Sequence, residues 1–194
     1  MHRARGEAVG TYRQTVVDLD ASAEEAVAWG RRGRNWLEAE GFIRPVPWQD
    51  GVVYLAGPRW RETVDLAPWD WRARIKELEE EPGDELQVVT GRTVFFAGQG
   101  DFPSAICPRC RNATSDTDRS GAAIDTWYAT GAADLDCPAC AHRTPLPDWE
   151  WTSDYFAFAY LGFQFDDWPP LHPRFVAVFG QALGHRVRVV TGKI

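Results

Sequence analysis

The 194-residue sequence has few of the features that mark membrane, secreted or nucleic-acid-binding proteins. No window approaches the roughly 18 apolar residues that a membrane-spanning helix needs. The basic residues near the start are followed by no apolar segment, so a secretory signal is not expected. Lysine and arginine total 21 against 28 acidic residues, and the net charge of -7 disfavours phosphate backbones as partners. We therefore expect a cytoplasmic protein without a membrane or nucleic-acid partner.

Motifs of known catalytic chemistry are also scarce, since the chain has no nucleophile motif, no phosphate-binding loop and no H-E-x-x-H sequence. The grouping closest to acid–base chemistry is Asp166, Asp167 and His172, with His185 beyond the following helix. A carboxylate and an imidazole can exchange protons near neutral pH in a suitable environment. A hydrolase or transferase at these residues is one alternative. The simpler interpretation is that Asp167 begins a turn and His172 caps the helix.

Aromatic residues, in contrast, are abundant, with ten Trp, ten Phe and five Tyr. At this density aromatic side chains either fill a core or form contact surfaces, and the core is the default interpretation for each. The length suits one domain with an insertion, or two small domains, and it is sufficient to bury a core.

The first half of the chain alternates strand and helix patterns. Residues 12–20 favour a strand, and residues 21–41 favour a helix with Ser22 and Glu25 as a capping box. Gly33, within that helix, weakens it unless another element packs closely there. Residues 42–48 and 51–58 favour one or two strands, and the prolines of the first segment place it at a sheet edge.

The next two segments continue this pattern. Residues 68–85 predict a second helix, and residues 86–98 predict two strands around a Thr-Gly turn.

The second half ends in a similar pattern. The aromatic segment 148–170 alternates as strands do, residues 171–186 predict a helix, and the chain closes with a strand. Since strand–helix–strand opens and closes the chain, we predict an open-faced α+β sandwich, with a ferredoxin-like topology as one arrangement. The predicted domain comprises residues 1–104 and 142–194, and residues 105–141 are inserted.

All four cysteines lie in two near-copies of one short turn, ICPRCRNAT (106–114) and DCPACAHRT (136–144). Two residues between paired cysteines let both thiolates face one point, and two such turns complete a tetrahedron. In a reducing compartment, paired cysteines are more often metal ligands or redox groups than structural disulfides. The pattern predicts a metal site formed by Cys107, Cys110, Cys137 and Cys140.

The doubled Cys-Pro-x-Cys pattern resembles the two knuckles of a zinc ribbon, with rubredoxin as the iron-binding relative. The resemblance covers about 35 residues and implies a structural zinc site, with iron as the alternative metal. Zinc ribbons usually carry glycine after the second cysteine, where this chain has Arg111 and Ala141. Distorted knuckles, or turns carried by Asn112 and His142, are therefore expected. A redox-active dithiol is disfavoured because neither pair precedes a helical pattern.

The segment between the cysteine pairs is polar, so we expect a loop that only the metal orders. It carries five Asp (116, 118, 125, 134 and 136) against two Arg (111 and 119), the opposite of a phosphate-binding face. On such a loop Trp127 and Tyr128 are expected to be partly exposed and to anchor a protein partner, a basic one by charge.

These observations predict a non-enzymatic bacterial protein that binds another protein and uses zinc structurally, and an adaptor or immunity-type role is compatible with them. The C-terminal run FDDWPPLHPRF resembles segments of bacterial proteins and implies no function. Two alternatives are a hydrolase or transferase at Asp166, Asp167 and His172, and a nucleic-acid-binding zinc ribbon.

Overall fold

The computed structural model describes residues 11–45, 53–67 and 85–194. The helix predicted within residues 68–85, with its stop at Pro82-Gly83, lies outside these residues, and Glu85 begins a strand. Within the described ranges, no helix combines the length and the apolar character needed to cross a membrane.

Eleven strands and three α-helices occur in the described residues. The strands are β1 (Tyr12–Asp18), β2 (Ile43–Pro45), β3 (Val53–Ala56), β4 (Glu85–Phe96), β5 (Ala105–Ile106), β6 (Ala113–Thr114), β7 (Asp134–Asp136), β8 (Arg143–Pro145), β9 (Glu150–Trp151), β10 (Phe156–Asp166) and β11 (Val187–Lys193). The helices are α1 (Ala26–Ala39), α2 (Thr117–Thr130) and α3 (Pro173–Leu183). The predicted mixture of helices and strands is confirmed.

Six strands form the main sheet in the order β11–β1–β10–β4–β3–β2, and each pair of neighbours is antiparallel. The shorter strands form a three-stranded sheet, β6–β5–β9, and a two-stranded sheet, β7–β8. The predicted Thr-Gly turn is wrong, because β4 runs unbroken through that position. The ferredoxin-like arrangement stays a prediction.

The pairing of β10 with β4 shifts register at one point. Gly91 and Arg92 of β4 lie opposite the single residue Tyr160, and Gly91 takes a left-handed φ of 102°. Such a bulge changes the face that the following side chains occupy. The large side chains of both halves of β10 consequently lie on one face: Phe156, Phe158, Leu161, Phe163 and Phe165.

Helices α1 and α3 pack on the second half of that face. Phe163 and Phe165 are fully buried there together with Leu37 and Phe179, and the Phe163 ring lies 4.8 Å from that of Phe179. A Cβ atom at Gly33 would lie 2.8 Å from Cε1 of Phe163, so only glycine lets α1 approach β10 this closely. The expectation of a close contact at Gly33 is confirmed.

The start of α1 differs from the predicted capping box. Ser22 Oγ donates to the Glu25 carboxylate at 2.9 Å, and no side chain caps the helix, which begins at Ala26.

The opposite face of the sheet carries small residues around one large ring. Phe95 is 3% exposed among Ala157 and Ala159, and a Cβ atom at Gly162 would lie 2.6 Å from the Phe95 ring. Beyond this cluster the end of β4 approaches β11, where Gln99 N donates to Lys193 O at 2.9 Å. The small side chains thus let the sheet curl around Phe95.

Alanine at Gly33 should lower the free energy of unfolding by about 1 to 3 kcal/mol, because the added methyl group overlaps the Phe163 ring. The same substitution at Gly121, also within a helix, meets no atom within 4 Å. It should raise the free energy of unfolding by up to about 1 kcal/mol, since alanine favours helix. Urea unfolding followed by circular dichroism measures the free energy of unfolding of each variant. Equal changes for Gly33→Ala and Gly121→Ala would contradict the close contact at Gly33.

Candidate metal centre

Each cysteine pair forms a tight turn within a hairpin. In the first turn Cys107 N donates to Asn112 O at 3.0 Å, and Arg111 N donates to Cys107 O at 3.0 Å. The second turn repeats both bonds. Cys137 N donates to His142 O at 2.9 Å, and Ala141 N donates to Cys137 O at 2.8 Å. The two copies in the sequence are therefore equivalent turns in the structure.

The residues that replace the usual glycine adopt its backbone conformation. Arg111 has φ 62° and Ala141 has φ 54°, so the expected transfer of the turn to Asn112 and His142 is wrong. A left-handed non-glycine residue costs about 1 kcal/mol. At the first turn an ion pair accompanies this strain, because Arg111 Nη2 donates to Glu150 Oε2 at 2.7 Å.

The four sulfur atoms converge on one point. Cys110 Sγ lies 3.5 Å from Cys137 Sγ, Cys107 Sγ lies 3.9 Å from Cys140 Sγ, and all four atoms lie within 4.8 Å of one another. Four sulfurs around one ion at Zn–S bonds of 2.3 Å would be about 3.8 Å apart. The predicted cluster is confirmed as a group able to hold a metal ion.

Protonation differs among the thiols. Desolvation raises the pKa of Cys137, but backbone N–H groups of Cys140 and Ala139 donate to its sulfur and, with neighbouring thiols, lower the pKa to about 7. At Cys110 the backbone N–H of Asn112 acts to lower the pKa, whereas desolvation and the other thiols raise it to about 12. Cys137 is thus the more acidic of these two thiols, and binding of a metal ion, which takes thiolates as ligands, would release protons.

The segment between the knuckles is not a loop but contains the 14-residue helix α2. The Asp116 carboxylate caps its start by accepting from Arg119 N at 3.0 Å, and Gly131 ends it with φ 84°. Ser120, Ala123 and Trp127 recur at helical spacing on its buried face. The sequence analysis missed this helix because its apolar stripe is narrow and consists mostly of small residues.

Trp127 lies on that buried face, and its expected exposure is wrong. The side chain is 2% exposed, with its ring 5.3 Å from that of Phe158 and 5.9 Å from that of Tyr160. Trp127 therefore cannot anchor a partner in this structure. Tyr128, the next residue, is 63% exposed.

Arg92 of β4 binds the C-terminal end of α2. Its guanidinium donates to the carbonyl oxygens of Tyr128 at 3.0 Å and Ala129 at 2.7 Å. A cation at a helix C-terminus is stabilising because the last carbonyl groups have no partner within the helix. The sequence contains no local signal for this contact, which joins residues 36 and 37 positions apart.

The cysteine turns, α2 and the start of β10 share one apolar core. Its buried members are Ala105, Cys107, Ala123, Trp127, Leu135, Cys137, Leu146, Trp149, Trp151, Phe156 and Phe158. Trp149 and Trp151 were not predicted as part of the site, although their closeness to the second cysteine pair was a usable signal. We call residues 105–151 the knuckle module. The predicted insertion 105–141 stays a prediction, and the second hairpin of the module continues to Pro145.

Asp166, Asp167 and His172, the residues of the predicted enzyme alternative, each accept a hydrogen bond from the protein. Asp166 accepts from Arg13 Nε at 2.6 Å and Nη2 at 2.7 Å. Asp167 accepts from Tyr12 N at 2.8 Å, and His172 Nδ1 accepts from Arg174 N at the start of α3 at 3.1 Å. The predicted helix cap at His172 is confirmed. These contacts fix the turn between β10 and α3.

His185 joins a different carboxylate. Its Nδ1 lies 2.8 Å from Oδ2 of Asp18, which is fully buried and also accepts from the backbone N–H groups of Asp20 and Ala21 at 3.0 Å. The Trp29 ring lies 4.3 Å from the imidazole. This pair ties the end of β1 to the turn after α3.

Trp127→Ala should lower the free energy of unfolding by about 3 to 5 kcal/mol, because it removes a buried ring from the contact between α2 and β10. Tyr128→Ala is the matched control, and its effect should stay below about 0.5 kcal/mol because the ring is exposed. Both are measured by urea unfolding of the purified protein. Unchanged stability of Trp127→Ala would show that the ring is not buried.

Comparisons with protein-family models, with curated proteins and with solved structures gave no match to this chain. The identification of a candidate metal centre therefore depends on the sulfur geometry and on the repeated turn.

Proposed function

We propose that Cys107, Cys110, Cys137 and Cys140 hold one zinc ion with a structural role, in a non-enzymatic protein that binds a protein partner. The convergence of four sulfurs within 4.8 Å carries this proposal. Four protein ligands complete a tetrahedral shell and leave no position for a substrate or for a reactive water, as a catalytic zinc requires.

The position of the cluster supports a structural role. One cysteine turn precedes α2 and the other follows it, so a shared ion would join the two ends of the knuckle module. Cys107 and Cys137 are buried in the same core as Trp127. Zinc is proposed because this role needs a fixed tetrahedron and no electron transfer, and iron is the alternative metal.

The exposed face of α2 supports a protein partner. Asp118, Gly121, Asp125 and Tyr128 follow one another at helical spacing, opposite the buried stripe, and Asp125 and Tyr128 are exposed. An exposed tyrosine beside carboxylates fits a partner surface with basic residues. An adaptor or immunity-type protein would use such a surface.

The acidic charge of the knuckle module disfavours nucleic-acid binding, and the hydrogen bonds of Asp166, Asp167 and His172 disfavour a hydrolase or transferase site there. The knuckle module contains seven acidic residues and four arginines, a balance that repels phosphate backbones. Hydrogen bonds from β1 to Asp166 and Asp167, and the capping of α3 by His172, provide a structural reason for each side chain. A cytoplasmic location belongs to the same proposal, because thiols persist in reducing compartments.

Protein purified without added metal should contain about one zinc per chain, because a tetrathiolate site binds zinc tightly enough to retain it. Elemental analysis measures zinc and iron together. Cys110→Ser should lose most of the metal and speed amide exchange in α2, whereas β10 keeps its own packing against α1 and α3. Less than about 0.3 equivalents of zinc plus iron in the native chain would refute the metal site.

Tyr128→Ala should weaken binding of the partner by about tenfold or more, because a central exposed tyrosine is a typical interface anchor. The partner is first identified by mass spectrometry after capture on the native protein, and its affinity is then measured with purified components. Val178→Ala on α3, also exposed, is the matched control. Equal affinities of the native and Tyr128→Ala proteins would exclude this surface.

A further inference from the structure

We propose that the metal centre is also a peroxide-sensitive switch, in which Cys110 is the thiolate that reacts first and Cys137 is its disulfide partner. This inference rests on the proposed function, because it assumes a zinc ion bound by the four thiolates. It adds a regulated state in which the ion is released and a disulfide replaces it as the link between the two cysteine turns.

The four thiolates differ in access to solvent. Cys107 and Cys137, the first cysteine of each turn, are buried, whereas Cys140 is half-buried and Cys110 is exposed. Oxidation of cysteine follows thiolate character and exposure. Zinc keeps all four sulfurs as thiolates, so exposure decides which one a small oxidant meets. Cys110 is therefore the site of first attack.

A sulfur able to form a disulfide with Cys110 lies close by in the other turn. Cys110 Sγ and Cys137 Sγ lie 3.5 Å apart, closer than the 3.9 Å between Cys107 Sγ and Cys140 Sγ. A disulfide needs about 2.0 Å, so the two sulfurs must approach by roughly 1.5 Å. Departure of the ion that separates the thiolates permits this approach. The product is a bond between the two turns.

The chemistry balances with hydrogen peroxide as the oxidant. The Cys110 thiolate attacks one peroxide oxygen, an S–O bond forms, the O–O bond breaks, and the leaving hydroxide takes a proton to become water. The Cys137 thiolate then attacks the sulfenic sulfur, an S–S bond forms, and hydroxide leaves to become a second water. Two sulfurs lose two electrons in total and peroxide gains them. The ion would leave once Cys110 is a sulfenic acid, because the three remaining thiolates no longer complete its tetrahedral shell, and its departure lets Cys137 reach the sulfenic sulfur.

Loss of the ion would remove a restraint on helix α2. Its start is seven residues beyond Cys110 and its end is seven residues before Cys137, so a bound ion would restrain both ends. After oxidation the Cys110–Cys137 disulfide links the turns on either side of α2, and the buried Trp127 ring and the bonds from Arg92 still attach the helix to the main sheet. The four cysteines are the only thiols of the chain, so thiol oxidation is confined to this site.

The test uses the purified zinc-bound protein and hydrogen peroxide added in steps. A zinc-sensitive dye should report about one zinc released per chain while the count of free thiols falls from four to two. With a sulfenic-acid reagent present at limiting peroxide, mass spectrometry should find the label on Cys110. Without the reagent, peptide mapping should find a Cys110–Cys137 disulfide. A thiol reductant with added zinc should restore the starting state.

Removal of zinc by a chelator without peroxide is the control that separates loss of the ion from formation of the disulfide. Removal of zinc by the chelator should speed amide exchange in α2 by about tenfold or more and leave β10 unchanged, and the increase should be smaller in the peroxide-treated protein because the disulfide links the two turns. Only the peroxide-treated protein should need the reductant for recovery. Purified protein without zinc would refute the proposed function. Zinc retention under peroxide, first labelling of another cysteine, or a different disulfide would overturn only the switch.

Discussion

The register shift between β10 and β4 is the constraint on which the architecture depends. Opposite Tyr160 the partner strand carries two residues, and the shift places both aromatic runs of β10 on one face. The first run enters the core of the knuckle module, and the second run enters the core beneath α1 and α3. One strand therefore belongs to two cores, and neither core is independent of the main sheet. Gly91, with φ 102°, supplies the backbone conformation that the shift requires.

The knuckle module is joined to that sheet by contacts of different kinds. Trp127 contributes apolar burial against Phe158 and Tyr160, and Arg92 contributes charge and hydrogen bonds to the end of α2. A metal ion held by the cysteine cluster would restrain the same helix from both ends. It would add to the stability that the buried tryptophans of the module supply.

This arrangement explains why a closed metal site suits a binding protein better than an enzyme. Burial of Trp127 fixes the rotation of α2, and that rotation turns Asp125 and Tyr128 to solvent. A partner would then meet a helix face whose position is set by the metal rather than by the partner. Loss of the ion would change that face without dismantling the main sheet, which is how the proposed oxidation would reach the binding surface.

The sequence by itself determined the features whose causes are local. The repeated Cys-Pro-x-Cys spacing predicted the sulfur cluster because each pair is held within one turn, and helix α3 followed from its proline, apolar stripe and terminal glycine. Only the tertiary structure decided that Trp127 is buried and that Arg92 caps α2. It also placed the left-handed positions at Arg111 and Ala141. The burial of Trp127 and the cap from Arg92 depend on residues distant in sequence. The left-handed backbone depends on strain that the folded hairpins hold in place. Hydrophobic periodicity in the sequence reveals neither.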